Sequence, residues 1–297
     1  TCIHTKSKQI SSTNEFNLAR TDNQMNIYTL NVGQGQFVVV AGKSEAFIVD
    51  TYLPLNPKND IVNIKAALAK ILPGKNLIGL MVTGFDDDHF NEVGLKVILN
   101  KYRPDWIMYP KYHKPTGNAD KCFAVIKEFE KQKEFRKISV QLSKNETRFY
   151  NTSISTEFEF EIFSPHSADM DSSNNCSIVC KVKEKSSGFF FNDTATTENG
   201  RWESITRIFG NAIKSDVLDA PHHGSKNGIS ESAIKLIAPH TVLVSAGHQN
   251  QYGHPDKEAT ALFNRYATNW FSTHANGGTS LETRATGTDV KTYKFET

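Results

Sequence analysis

The sequence predicts an α/β protein of four layers, αββα, in which two mixed sheets pack face to face with helices outside both. Two observations carry this. Strand-like runs alternate with helical patterns from Met25 onward, give way to a block of consecutive strands, and then alternate with helices again. No fixed-period repeat and no Pro/Gly-rich linker divides the chain, so one domain is expected over residues 25–297. Its 297 residues, 38% hydrophobic and 22% charged, suffice to bury the core such a sandwich needs.

The elements follow in order. NIYTLNV, QFVVVAG and EAFIVDT read as three short strands, with Gly33 and Gly35 marking the first turn. Residues 60–71, DIVNIKAALAKI, carry apolar residues at helical spacing and stop before Pro73-Gly74. Next come the strand LIGLMV, a helix near EVGLKVILNKY, the strand WIMYP and a helix near CFAVIKEFEKQ. The strand block is ISVQL, TRFYN, FEFEIFS, SIVCKV and GFFF, interrupted by the loop SADMDSSNN at residues 167–175. The last third reads ESITRIFG, SDVLDAP, ESAIKLIA, TVLVSA, KEATALFNRYA and NWFST, where the predicted elements end.

Composition narrows the function classes. The net charge is +2, from 34 basic and 32 acidic residues, which gives no global field for holding nucleic acid or a membrane surface. Cys2, Cys122, Cys176 and Cys180 form no CxxC pair; Cys176 and Cys180 are expected to share one strand face as small buried hydrophobes. A reduced, cytoplasmic compartment is the expectation. No apolar stretch approaches the roughly 20 residues that span a bilayer, and no signal-peptide core precedes Met25. Residues 1–24 are expected to be a flexible N-terminal segment.

Unusual polar groups follow the apolar strands. LIGLMV leads into TGFDDDH, GFFF into Asn192-Asp193, SDVLDA into PHHGS, and TVLVSA into GHQNQYGHP. Ligand sites of open α/β sheets lie at such strand ends, and Asp with His is the composition of a divalent-metal site. The competing explanation of the DDDH run is a solvated acidic turn that caps the helix starting near Asn91.

Seven short motifs, in order, resemble the metallo-β-lactamase fold superfamily, specifically the hydrolase domain of ComEC-type DNA-uptake competence proteins. That branch shows VGQGD, IDTG, HxDxDHxxGL, NNxSxV, a GD strand end, HHGS and N-x-Y-G-H-P. Here residues 32–36 read VGQGQ, 49–52 VDTY, 84–95 GFDDDHFNEVGL and 174–179 NNCSIV. Residues 192–193 read ND, 222–225 HHGS and 250–255 NQYGHP. Gly84 stands where the family has its first histidine, Gln36 replaces the acid, and Tyr52 and Asn192 replace glycines.

The resemblance implies a site. Asp88, His89, Asp193 and His222 would make one complete metal position, and Asp86 with Asp193 and an amide of Asn174 or Asn175 a thinner second one. Asp88, His223 and His254 would serve the chemistry, with His254 holding phosphate or passing a proton. His222 and His223, adjacent on an extended segment, would point oppositely, leaving His223 as an outer ligand partner or substrate contact. Ser225, Asn250 and Tyr252 would touch substrate, and Asp50 would order the metal loops by hydrogen bonds. Asp87, at a variable motif position, is expected to be solvated. His166 could supply the missing imidazole but reads as an inert loop residue, and His4, His113, His240, His248 and His274 have no motif support.

The implied cofactor is a divalent ion, Mn²⁺ or Zn²⁺, one held tightly and a second weakly. Oxygen donors at the thinner position suit Mn²⁺ or Mg²⁺. The implied function is metal-dependent hydrolysis through an activated water, as a phosphodiesterase or nuclease on nucleic acid or a nucleotide. The alternative, motivated by Gly84, is a non-catalytic module that binds nucleic acid or a partner protein. β-Lactam hydrolysis is disfavoured because a histidine-rich zinc site is lacking. Removing one acid from this crowded turn is expected to relieve repulsion and stabilise the metal-free protein.

Overall fold

Apolar residues on both faces of the first strands make them interior strands of a sheet covered on both sides. A computed structural model describes residues 24–57, 60–111, 117–167, 174–186, 190–194, 199–286 and 289–297. In it β1 (Gln24–Thr29), β2 (Val38–Ala41) and β3 (Glu45–Val49) run antiparallel. The chain then switches to parallel pairing through β4 (Asn76–Met81), β5 (Trp106–Pro110) and β6 (Arg136–Val140). The crossovers are α1 (Ile64–Ile71), α2 (Glu92–Tyr102) and α3 (Gly117–Glu130).

The second sheet repeats the scheme. β7 (Arg148–Tyr150), β8 (Phe158–Ser164), β9 (Val179–Glu184) and β10 (Phe190–Thr194) are antiparallel. Parallel strands β11 (Val217–Asp219), β12 (Thr241–Val244) and β13 (Asn269–Ser272) complete it. Its helices are α4 (Asn199–Phe209), α5 (Glu231–Ile237) and α6 (Lys257–Tyr266).

Three hydrophobic layers fix the order of the elements. Phe47, Met81, Trp106 and Met108 of one sheet meet Phe158, Phe160, Cys180 and Leu243 of the other. Leu68, Leu95, Leu99 and Ile126 cover the first sheet from outside, and Trp202, Ile234 and Phe263 cover the second. The four-layer αββα expectation therefore holds.

Local departures have local causes. The hairpin of β14 (Ser280–Thr286) and β15 (Asp289–Phe295) extends the first sheet beyond β1, although the sequence reading stops at Thr273. Ser280, Leu281, Thr283 and Ala285 are its buried positions in β14, and a serine, a threonine and an alanine give little apolar alternation to read. α1 starts at Ile64 rather than Asp60 because the Asn63 side chain caps it, accepting from the Ala66 amide at 3.2 Å. Cys176 lies in a turn before β9, not on a strand face shared with Cys180; both are buried, as is Cys122, and none of the three is in a disulfide among the described residues. Cys2, and with it residues 1–23, lies outside the described residues. Among those described, no helix is long and apolar enough to cross a membrane.

One glycine positions the acidic turn. A Cβ at Gly94, in the first turn of α2, would fall 1.6 Å from the Thr51 carbonyl oxygen. Gly94→Ala must therefore push α2 off the strand end that carries Asp50. The expected loss is about 3 kcal/mol or more, at or above the upper end of ordinary overpacking, read as a lowered denaturation midpoint with an unchanged slope.

Candidate metal centre

The site is assembled where parallel strands end. β3 runs into Asp50, β4 into the turn of residues 83–90, β11 into the 3₁₀ turn Pro221–Gly224, and β12 into the loop of residues 245–255. Backbone hydrogen bonds tie these ends together. Gln36 N donates to Asp88 O at 2.8 Å, Thr51 N to His89 O at 2.9 Å, and Ile178 N to Thr83 O at 2.7 Å. The Ser245 hydroxyl donates to Gly35 O at 2.7 Å, linking the two sheets directly above the turn.

The acidic turn is held from both flanks by buried aromatics. Phe85 and Phe90 pack edge to face at 5.8 Å, and Phe85 also meets Phe123. The helix after the turn needs no aspartate as its cap. Asn91 performs that task, accepting from Gly94 N at 3.1 Å. With capping assigned to Asn91, the aspartates are left to another role.

Asp88, His89 and His223 each bring one ligand atom to within 4.8 Å of the others. His89 is fully buried, and its Nδ1 lies 2.6 Å from Asp50 Oδ2. Asp50 also accepts from the Thr83 amide at 2.7 Å and from its hydroxyl. A carboxylate behind an imidazole fixes the ring and leaves Nε2 facing the site. Burial alone would lower the His89 pKa; the Asp50 charge and hydrogen bond, with Asp88 and Asp86, outweigh it and raise it to about 9.

His223 is oriented in the same manner by a carbonyl, its Nδ1 standing 2.8 Å from Ser245 O. Its Nε2 stands 3.3 Å from Asp88 Oδ2, an ion-pair distance without good hydrogen-bond geometry. Burial pushes Asp88 up, but His223 and His89 pull it well below the usual carboxylate range. His222 and His254 lie beside this group with their rings 6.0 Å apart, edge to face. Burial, then neighbouring imidazoles, lower His222; burial, partly offset by Asp256, lowers His254.

The donor set fits a cation. Buried His89 Nε2, His222 Nδ1, His223 Nε2 and His254 Nδ1 have no hydrogen-bond partner among the described residues. An imidazole nitrogen buried without a partner is costly. His89 and His223 bring ligand atoms to within 4.8 Å of each other and of the Asp88 carboxylate, an arrangement that a divalent ion satisfies.

Asp88 and His89 are in the tight group; Asp86 shares their turn and acts electrostatically on His89, but stands outside that group. Asp193 is placed only by its backbone, at the end of β10 opposite Cys180; its side chain lies outside the described residues. His222 and His223 are not on an extended segment. Both take left-handed φ, 52° and 55°, so the pair does not alternate faces, and His223 is the one within 4.8 Å of Asp88 and His89. Gly224 continues the turn at φ +79°, where a Cβ would fall 2.7 Å from Pro255 Cβ.

The remaining polar residues shape the loops. Asn250 donates to Gly247 O and His254 O and accepts from Tyr252 N and His254 N, so its amide organises the loop that presents Tyr252 and His254. The Ser225 hydroxyl accepts from Asn227 N within its own turn. Gln36 donates to the buried Asp219 carboxylate at 2.6 Å, where an acid at position 36 would face a like charge. His166 is a packing residue, hydrogen-bonded near Glu146 O and Arg201 and stacked on Phe209. Ser245, whose carbonyl orients His223, was not legible as a site residue because nothing in its type signals that role.

No family model matches the chain. It is 27% identical over 203 residues, 68% of its length, to ComE operon protein 3 of Bacillus subtilis (strain 168). The chain spans about a quarter of that relative, 24%. Its fold overlays on CmlA, a diiron β-hydroxylase from Streptomyces venezuelae, with TM-score 0.56 and 14% identity, covering 93% of this chain and 55% of that one. It also overlays on Igni18, a metallo hydrolase from Ignicoccus hospitalis KIN4/I, with TM-score 0.53 and 10% identity, over 92% and 100% of the two chains. The protein has the metallo-β-lactamase fold, and its ordered motifs and curated relative align it with the ComEC-type competence proteins.

Proposed function

We propose that the protein is a metal-dependent phosphodiesterase acting on nucleic acid or a nucleotide. One observation carries the reading: His89 and His223, each with a buried Nε2 that has no hydrogen-bond partner, bring ligand atoms to within 4.8 Å of each other and of the Asp88 carboxylate. A divalent ion held there would supply Lewis-acid activation of water and neutralise phosphoryl charge. Asp88, His89 and His223 would hold it, Asp50 and Ser245 O keep the two imidazoles aimed, and His254 lies one ring away. His254, whose Nδ1 stands 3.7 Å from Asp256 Oδ2 and whose pKa is lowered by burial, would pass a proton or bind an oxygen of the phosphate. The resemblance of the chain's ordered motifs to the DNA-uptake competence proteins supports nucleic acid or nucleotide as the substrate class.

The test is a titration of Mn²⁺ and Zn²⁺ into metal-free protein, followed by calorimetry and by turnover of bis(4-nitrophenyl) phosphate and of single-stranded DNA. One tight ion, a weaker second one and Mn²⁺-stimulated turnover are expected. Two equally tight zinc ions would refute the ligand assignment. Gly84, which offers no side-chain ligand, favours the second reading, a non-catalytic nucleic-acid or protein-binding module; absence of turnover with every metal would select it.

Metal binding is expected to depend on pH with a definite sign. With its pKa raised to about 9, His89 is protonated at neutral pH in the metal-free protein, and a bound ion must displace that proton. Apparent affinity should therefore climb with pH and level off near pH 9. The same raised pKa stabilises the metal-free fold fully below His89's unfolded pKa of roughly 6.5, and that stabilisation is lost as pH rises through about 9. Calorimetric titrations at several pH values, with the proton release measured in buffers of different ionisation enthalpy, check both slopes.

A further inference from the structure

Tyr252 is 58% exposed, a large aromatic side chain left open beside a buried polar centre. Its ring is stacked on His254, centroids 5.8 Å apart and planes 18° off parallel. His254 in turn meets His222 edge-on at 6.0 Å, so a row of rings leads from solvent to the metal centre. The row is built in advance. Asn250 accepts from the Tyr252 and His254 amides at 3.1 and 3.0 Å, which fixes the loop before any ligand arrives. A pre-formed aromatic surface binds with less loss of conformational entropy than a mobile one.

A second phenol lies on the segment that touches the acidic turn. The half-buried Tyr52 ring lies on Gly35, where a Cβ would fall 2.1 Å from Tyr52 Cδ1 and 2.7 Å from Asp88 O. Its amide donates to Gln36 O at 3.1 Å, so the ring is anchored to the segment that touches the acidic turn. Burial first, then the Asp88 and Asp87 carboxylates and Tyr252, raise the Tyr52 hydroxyl pKa.

We propose that the substrate of this centre carries an unpaired nucleobase next to its scissile phosphate, stacked on the outer face of Tyr252. The inference rests on the phosphodiesterase reading above. Stacking suits any base because every base has a π-face, and a base inside a duplex is already stacked and unavailable. The net charge of +2 offers no global field to hold a polyanion, so affinity has to come from local contacts of this kind.

The test compares wild type, Tyr252→Ala and Tyr252→Phe, all loaded with Mn²⁺. The substrates are thymidylyl-thymidine, its analogue lacking both bases, and one oligonucleotide in single-stranded and duplex form. Tyr252→Ala is expected to lower kcat/KM for thymidylyl-thymidine about 10- to 100-fold, the size of one base–aromatic stack, mostly through KM. Tyr252→Phe should retain activity, the analogue should be cleaved equally by all three proteins, and the duplex should be the poorer oligonucleotide. Equal losses on both dinucleotides would assign Tyr252 to loop structure and overturn the proposal, as would no loss on either. Binding of a fluorescein-labelled oligothymidine, read by anisotropy with Ca²⁺ in place of Mn²⁺, separates the two levels. If no phosphodiester is cleaved but Tyr252→Ala still weakens this binding, the catalytic reading fails and the stacking site stands; if wild type does not bind, the stacking site fails.

Discussion

Asp50→Ala is expected to lower the stability of the metal-free protein by about 3–5 kcal/mol, the loss typical when one partner of a buried ion pair is removed. It should also weaken metal binding about 10- to 100-fold, as loss of a group behind a ligating histidine does. Asp50 and His89 are both fully buried, so solvent does not screen the pair. Truncation strands the His89 Nδ1, the Thr83 amide and the Thr83 hydroxyl together. Asp50→Asn keeps the volume but not the charge, and should fall between the two. A separate signature follows from the pKa. Without the carboxylate, burial dominates and the His89 pKa drops, so the rise of metal affinity with pH should level off at lower pH than in wild type. Chemical denaturation and calorimetry of the three proteins read these effects. Wild-type metal affinity and an unmoved pH profile in Asp50→Ala would remove its positioning role.

Asp88→Ala should eliminate turnover and reduce metal affinity by more than the 10- to 100-fold typical of an outer partner, while the protein stays folded. The Asp88 side chain is 31% exposed, and its pairing with His223 is worth only about 1 kcal/mol at such a site. The sign of that change corrects the expectation of relieved repulsion. Asp88 sits between two imidazoles, and its lowered pKa means the fold favours the charged form. The stabilisation is present above the unfolded pKa of roughly 4 and is lost as pH falls through the folded value. Removal should therefore destabilise slightly at pH 7. His89→Ala is not equivalent, because it also leaves Asp50 buried without its imidazole and opens a cavity. Thermal melts with and without Mn²⁺ distinguish the two: equal melting of the metal-free variants would contradict the burial difference, and wild-type turnover in Asp88→Ala would contradict the catalytic reading.

Much of this molecule is legible along the chain because periodicity and strand-end chemistry are local. The apolar runs before TGFDDDH, PHHGS and GHQNQYGHP mark interior strands, and the alternation of elements is enough to call for two sheets and two helical layers. Asp88 and His89 stand out because a carboxylate and an imidazole after a buried strand require a partner. The C-terminal hairpin was not legible, since its buried face in β14 includes a threonine and an alanine and its pairing with β1 spans nearly the whole chain.

The partners of those site residues are set by tertiary structure. Nothing in Asn91 marks it as the cap that frees the aspartates, and nothing in Ser245 marks its carbonyl as the acceptor for His223. The choice between His222 and His223 turns on two left-handed φ values, which alternation along an extended segment does not anticipate. Sequence alone determined which residue types stand at the strand ends, because composition and spacing are written into it. Only the fold decided which nitrogen faces which oxygen, because those distances depend on two sheets meeting at one edge.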